Sequence, residues 1–306
     1  MSDYNPPVAN RLFPEEYDYN FEPEKKIATI SCSTDGAKKL RKIDVWSLAY
    51  VEYLLQNELT SKVNGVKIYV LKAYSKYAFE SLRRRVSYLN IVDNGIKFEL
   101  FHQRSQVTLD EKIELTRSEP NAITTKDIEE RTHGAGAGLE KDLQDFIARD
   151  PIVVDNSRLS ILSFDFYREK KSRYGVLSEV PIGIYDTIKS EETRILPTYY
   201  IDFVSFTKEG NLAVIELKVN DQSLEVISQI LDYALFAIKY KDQFCKLIKN
   251  NLSTQSLLPI KKKYMEKPVK AYVVNNHFNK KFDGIFKYYT SSDIKIPFSI
   301  TKIALG

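Results

Sequence analysis

The chain is predicted to be an α/β protein built from two folded units, and three observations carry that prediction. Apolar residues recur at helical spacing in some windows, and in others alternate or form short unbroken runs of strand type. The 306 residues exceed the roughly 250 to 300 at which one hydrophobic core stops growing. A polar stretch over 104–138, carrying Pro120 and the run His133-Gly134-Ala135-Gly136-Ala137-Gly138, separates two sets of such elements.

Residues 1–26 read as an extended acidic arm. They hold Pro6, Pro7, Pro14 and Pro23, and residues 1–24 set six acids against Arg11. Residues 27–125 read as a small amino-terminal α/β domain with a regulatory, binding or oligomerising role. There 27–33 (IATISCS) alternates as a strand, and 44–59 places Val45, Leu48, Val51, Leu55 and Leu59 on one helical face. A strand over 66–73, a helix over 73–89 and a hairpin turning at Asp93, Asn94 and Gly95 complete it.

Residues 126–306 read as the second domain. A helix over 138–151 turns Leu139, Leu143, Phe146 and Ile147 inward and ends at Pro151. Strands follow over 158–167, 176–185, 199–206 and 211–219, then a helix over 225–240 and a buried strand over 270–276.

Composition excludes several classes. With 43% hydrophobic and 28% charged residues, the chain is neither disordered nor fibrous. No apolar window reaches membrane-spanning length, and the polar start is unlike a signal peptide, so no membrane partner is expected. Cys32 and Cys245 form no CxxC or Cys/His pattern, which points away from a disulfide framework or structural zinc and towards a reducing, cytoplasmic setting. Charge is lopsided: residues 239–306 carry fourteen lysines against Asp242, Glu266, Asp283 and Asp293, a tail of +10. Such a face suits a phosphate backbone. Lys261, Lys262 and Lys263 beside Tyr264, and Lys280 and Lys281 beside Phe282, add the mixture of cations and rings that nucleic-acid surfaces use.

The chemistry centres on the pair of segments 199–206 and 211–219. Only Thr207-Lys208-Glu209-Gly210 separates them, so they should form an antiparallel hairpin. Residue 209 lies midway between Asp202 and Glu216, which sets the two carboxylates opposite each other at about 5 Å. Lys218 shares the face of Glu216, because side chains alternate along a strand. All three interrupt apolar runs. Two neighbouring buried carboxylates repel unless a cation neutralises them, and a hard divalent ion, Mg²⁺ or Mn²⁺, prefers oxygen ligands.

Glu140 on a leading helix, Asp202, the triplet Glu216-Leu217-Lys218, and Gln229 with Tyr233 four residues later together resemble the PD-(D/E)xK nuclease superfamily. The Gln and Tyr look like the QxxxY motif of its RecB-like branch. The order GLEKDLQDFIARDP, then Asp, ExK and QxxxY, is similar to NucS-type endonucleases, and Shedu-type defence nucleases share a related layout. The resemblance covers about residues 138–275, with Ile201 where the family name has proline.

It implies a restriction-endonuclease-like mixed-sheet core flanked by helices, and a metal-dependent deoxyribonuclease acting in phage defence or DNA repair. Asp202 and Glu216 would ligate Mg²⁺ or Mn²⁺, Glu140 would support the ion directly or through water, and Lys218 would orient or activate the attacking water. Gln229 and Tyr233 would border the substrate. The expected partner is nucleic acid, DNA ahead of RNA, with a second copy of the chain as a further candidate. The alternative reading is a catalytically silent nucleic-acid-binding or sensing module on a nuclease fold.

Other features stay secondary. Asp165 lies in an apolar strand with nothing to place it opposite the ExK triplet, and His102, His133 and His277 lack motif spacing. The HGAGAG run has no following GK[ST] and reads as a linker. Arg83-Arg84-Arg85 either contacts phosphate or pairs with acids on a solvated face.

Overall fold

The structure is a computed structural model; it describes residues 4–7, 13–33, 40–72, 76–92, 94–111, 140, 143–144, 177–182, 200–207, 210–245, 267–289 and 298–304. These fall into two compact units, each with its own five-stranded mixed sheet. The strand predicted over 158–167 and the lysines at 261–263 lie outside the described residues.

The first unit holds the described residues to 111 together with 279–289. Its sheet runs in chain order: β1 (Tyr17–Glu22), β2 (Ile27–Cys32), β3 (Gly65–Val70), β4 (Lys97–His102) and β5 (Ser105–Gln106). The central pairs β2–β3 and β3–β4 are parallel, connected through α1 (Ile43–Gln56) and α2 (Lys76–Ile91), while β1 and β5 pair antiparallel at the edges. Part of the expected loose arm is therefore a strand. Tyr17, Tyr19 and Phe21 alternate inward into the core while Asp18 and Asn20 face out.

The hairpin expected at 93–95 does not form, because the segment before the turn stays helical to Ile91 and β4 pairs with β3 instead. The side chain of Asn90 does the work of a strand neighbour there: it donates to the Phe98 carbonyl at 2.9 Å and accepts from the Phe98 N–H at 2.7 Å. In the arginine run two members form ion pairs, while the buried Arg84 donates to the Ser81 hydroxyl at 2.8 Å. Arg83 contacts Glu80 and Asp110, and the buried Arg85 clamps the buried Asp44 through Nε at 3.0 Å and a second nitrogen at 3.1 Å.

A short helix, α4 (Phe282–Phe286), and the 3₁₀ turn Lys287–Tyr289 complete this unit, although the sequence reading assigns them to the second domain. Phe282, Ile285, Tyr288 and Tyr289 are buried. The Tyr288 hydroxyl donates to Glu52 at 2.5 Å, and the Tyr88 hydroxyl donates to the Tyr289 carbonyl at 2.9 Å.

The second unit's sheet has the order β10-β9-β8-β7-β6: β6 (Leu177–Pro181), β7 (Tyr200–Phe206), β8 (Leu212–Lys218), β9 (Val269–Asn275) and β10 (Phe298–Ala304). β6, β7 and β8 form an antiparallel meander. After β8 the chain crosses over through α3 (Glu225–Lys239) and returns as β9, parallel to β8, with β10 parallel to β9 beyond it. Parallel strands covered on both faces read as continuous apolar runs, and the interiors of β8 and β9 do so. Val226, Ile227, Ile230, Leu231, Ala234 and Leu235 bury α3 within this unit, and each larger aliphatic side chain contributes about 1.5–3 kcal/mol. Gly210, at φ 82°, supplies the left-handed step of the β7–β8 turn, which the Thr207 N–H closes onto the Asn211 carbonyl at 2.9 Å.

Candidate active site

β7 and β8 pair in the register predicted from the sequence, with Phe203 opposite Ile215 and Val204 opposite Val214. One further step would set Asp202 opposite Glu216, but the backbone ladder stops short of it. Instead, the Asp202 carboxylate accepts the Leu217 N–H at 2.7 Å. A side chain thus replaces a backbone acceptor where the two strands part, and the opening holds the acids.

Glu216 is 1% exposed. Its Oε1 lies 2.7 Å from Lys218 Nζ, which also reaches Glu140 Oε1 at 3.1 Å. Its other oxygen, Oε2, is buried with no hydrogen-bond partner. Glu140 and Gln144 have helical backbone, and the buried Gln144 donates to the Asp202 carbonyl at 3.3 Å. Glu140, Asp202, Glu216 and Lys218 therefore gather at one place, as the sequence spacing predicts.

Their protonation follows from burial. Asp202 is pushed up to about 6, mainly by burial, although Lys218 and the Leu217 N–H pull it down. Burial raises Glu216 well above the usual carboxylate range, and the neighbouring Asp202 raises it further. Burial alone would lower Lys218, but Glu216 and Asp202 outweigh it and hold the ammonium firmly protonated. With every acid ionised, three carboxylates face one ammonium, a net −2.

Hard oxygen donors with an unpartnered buried oxygen suit a divalent cation. Glu216 is the buried candidate, Asp202 is half-buried, and Glu140 is the third, at present turned to Lys218. Among the described residues, no group of three or more His, Cys, Asp or Glu side chains forms a ready-made metal cage. Waters or a substrate phosphate would have to complete the shell, which is the usual state of Mg²⁺.

Gln229 and Tyr233 sit together on α3, with Gln229 Nε2 donating to the Tyr233 hydroxyl at 2.8 Å. Tyr233 is fully buried, and its hydroxyl donates to the Tyr200 carbonyl, tying α3 to the strand that bears Asp202.

Sequence reasoning missed the asparagines at the exit of β8. Asn275, level with Lys218 across the β8–β9 pair, is buried and donates to the carbonyls of Asp221 at 2.6 Å and His277 at 2.8 Å. Asn276 accepts the Asn220 N–H at 2.7 Å and donates to the Asn220 side chain at 2.8 Å. The signal available was polar residues in corresponding positions at the ends of two apolar strands.

Lys280 and Lys281 belong to the first unit, beside α4, whereas the acids lie in the second. No helix among the described residues is long and apolar enough to cross a membrane. Comparison with known proteins returns no matching family model, curated protein or solved structure.

Proposed function

We propose that the chain is a metal-dependent endonuclease that hydrolyses phosphodiester bonds of DNA, with a restriction-endonuclease-like core of the PD-(D/E)xK type in its second unit. The observation that carries this reading is the gathering of Asp202, Glu216, Glu140 and Lys218 where β7 and β8 part, with a buried Glu216 oxygen left unpartnered. The meander, helical crossover and parallel strand that frame it fit the same reading.

Asp202 and Glu216, supported by Glu140, would hold Mg²⁺ or Mn²⁺. When bound, the ion supplies Lewis-acid polarisation of the phosphate and a lowered pKa for a bound water. Lys218 is protonated at neutral pH and so serves as a positive charge and hydrogen-bond donor beside the phosphate rather than as a base. Gln144 and Tyr233 tie the helical residue at 144 and α3 to the β7 backbone at Asp202 and Tyr200, which fixes the position of the carboxylate.

The test is incubation of the purified chain with plasmid, single-stranded, branched and mismatched DNA in Mg²⁺ or Mn²⁺. Cleavage is expected, and it should vanish in Asp202→Ala and in Lys218→Ala. Cleavage that persists in either variant overturns the site. The second reading, a silent binding or sensing module, rests on the Lys218 ammonium, which already partners both glutamates as an internal counter-charge. Salt-sensitive DNA binding without cleavage under any divalent ion would establish it instead.

A further inference from the structure

The first unit contains a pocket of about 340 Å³, inside the range of roughly 300–1,000 Å³ typical of small-molecule sites. Phe13, Tyr53, Gln56, Asn57, Lys280 and Lys281 line it. Lys280 and Lys281 have no carboxylate partner among the described residues; Lys281 Nζ rests over the Phe13 ring at 5.2 Å. Burial holds the Lys281 ammonium below its ordinary value, so an anion placed beside it would relieve a real desolvation cost.

The single acid in the wall does not supply that anion. Glu52 is already engaged by the Tyr288 hydroxyl at 2.5 Å, Lys287 at 2.8 Å and Gln56 Nε2 at 3.2 Å. Gln56 and Asn57 have each committed an amide nitrogen within the protein, Asn57 to the Tyr53 carbonyl at 2.8 Å. Their amide oxygens remain as acceptors at the rim. Phe13 is buried beneath Lys281, so the ring open to a ligand is the half-buried Tyr53. The pocket therefore presents two cations for an anionic head, that ring for a flat body and carboxamide acceptors for ring N–H donors. A nucleotide combines all three, because its base offers a π-face and N–H donors and its phosphate carries the charge.

We propose that this pocket binds a free mononucleotide, with Lys280 and Lys281 on the phosphate and Gln56 and Asn57 on the base edge. The site stands on the first unit alone and is independent of any nuclease activity in the second.

Calorimetric titration of the full-length chain with a purine and a pyrimidine nucleoside monophosphate tests it, with inorganic phosphate and the parent nucleosides as separate arms. At least one monophosphate should bind saturably, and at least tenfold more tightly than its nucleoside or inorganic phosphate. Lys281→Met keeps an unbranched chain over Phe13, and with Lys280→Met it should weaken that binding at least tenfold without shifting the melting temperature. Gln56→Glu alters an exposed residue and should weaken it too, by adding a like charge. The proposal is overturned if no monophosphate binds, if phosphate alone binds as tightly, or if folded lysine variants bind as the parent chain does.

Discussion

The sharpest consequence of the buried acids is an inverted pH dependence in the second unit. Asp202 is raised from 3.8 to about 6, so the folded chain holds a proton that the unfolded chain has released between those values. The native state thus binds more protons than the unfolded one, and stability falls as pH rises. The contribution is complete below the unfolded value near 4 and is lost as pH passes through about 6. A shift of about 2 units at 1.36 kcal/mol per unit amounts to about 3 kcal/mol. Glu216 acts in the same direction and carries the loss to higher pH. Most carboxylates oppose this trend, so the informative quantity is a difference. Urea unfolding of the metal-free parent and of Asp202→Asn, from pH 4 to 8, should give curves that diverge by about 3 kcal/mol, the parent losing ground as pH rises. Parallel curves across that range would refute the protonation argument.

Other outcomes follow from the same geometry. Glu216→Gln removes a donor oxygen and a repelling charge, so at pH 8 it should raise metal-free stability and erase most of the Mn²⁺ stabilisation, which is about 2.7 kcal/mol at a hundredfold excess over Kd; a melting curve that responds to Mn²⁺ as the parent does would count against the metal site. Arg85→Ala strands Asp44 as an unpaired buried charge in the first unit and should cost about 3–5 kcal/mol in chemical unfolding, and a loss below about 1 kcal/mol would contradict the burial described. Asn275→Ala leaves the Asp221 and His277 carbonyls without their donor, at about 1–3 kcal/mol, and should speed amide exchange locally at 219–221 and 277; unchanged protection there would remove Asn275 as the fastener.

The candidate site was legible because its information is local. A four-residue turn fixes a hairpin register, and residue 209 as its midpoint puts Asp202 level with Glu216. The apolar runs of β8, β9 and α3 were equally plain. Other features escaped for physical reasons. The acids and prolines of 1–26 point to an arm, yet Tyr17, Tyr19 and Phe21 alternate, and burial of three rings outweighs the polar residues Asp18 and Asn20 between them. The segment at 94–96 links a helix to a strand rather than two strands of a hairpin, and Asn90 satisfies the Phe98 backbone from within that helix. β10, over Phe298–Ala304, is absent from the sequence reading because its alternation breaks at Thr301-Lys302, and α4 carries too short a pattern to announce itself. Nothing near residue 44 or 52 in the sequence announces Arg85 or Tyr288, since contacts made across long stretches of chain leave no periodic trace.

That last separation bears on how the chain is made. Tyr88 donates to the carbonyl of a residue 201 positions later, and Glu52 awaits a hydroxyl 236 positions on. At about 5–20 residues per second, a ribosome takes roughly ten to forty seconds to travel from Tyr88 to Tyr289. Throughout that interval the first sheet exists without its closing segment, and the surface that Phe282, Ile285, Tyr288 and Tyr289 later cover stays open to solvent and to chaperones. The first unit to emerge is therefore finished only shortly before the second, whose β10 follows at Phe298–Ala304, and a stop codon between residues 112 and 282 damages both units rather than the second alone.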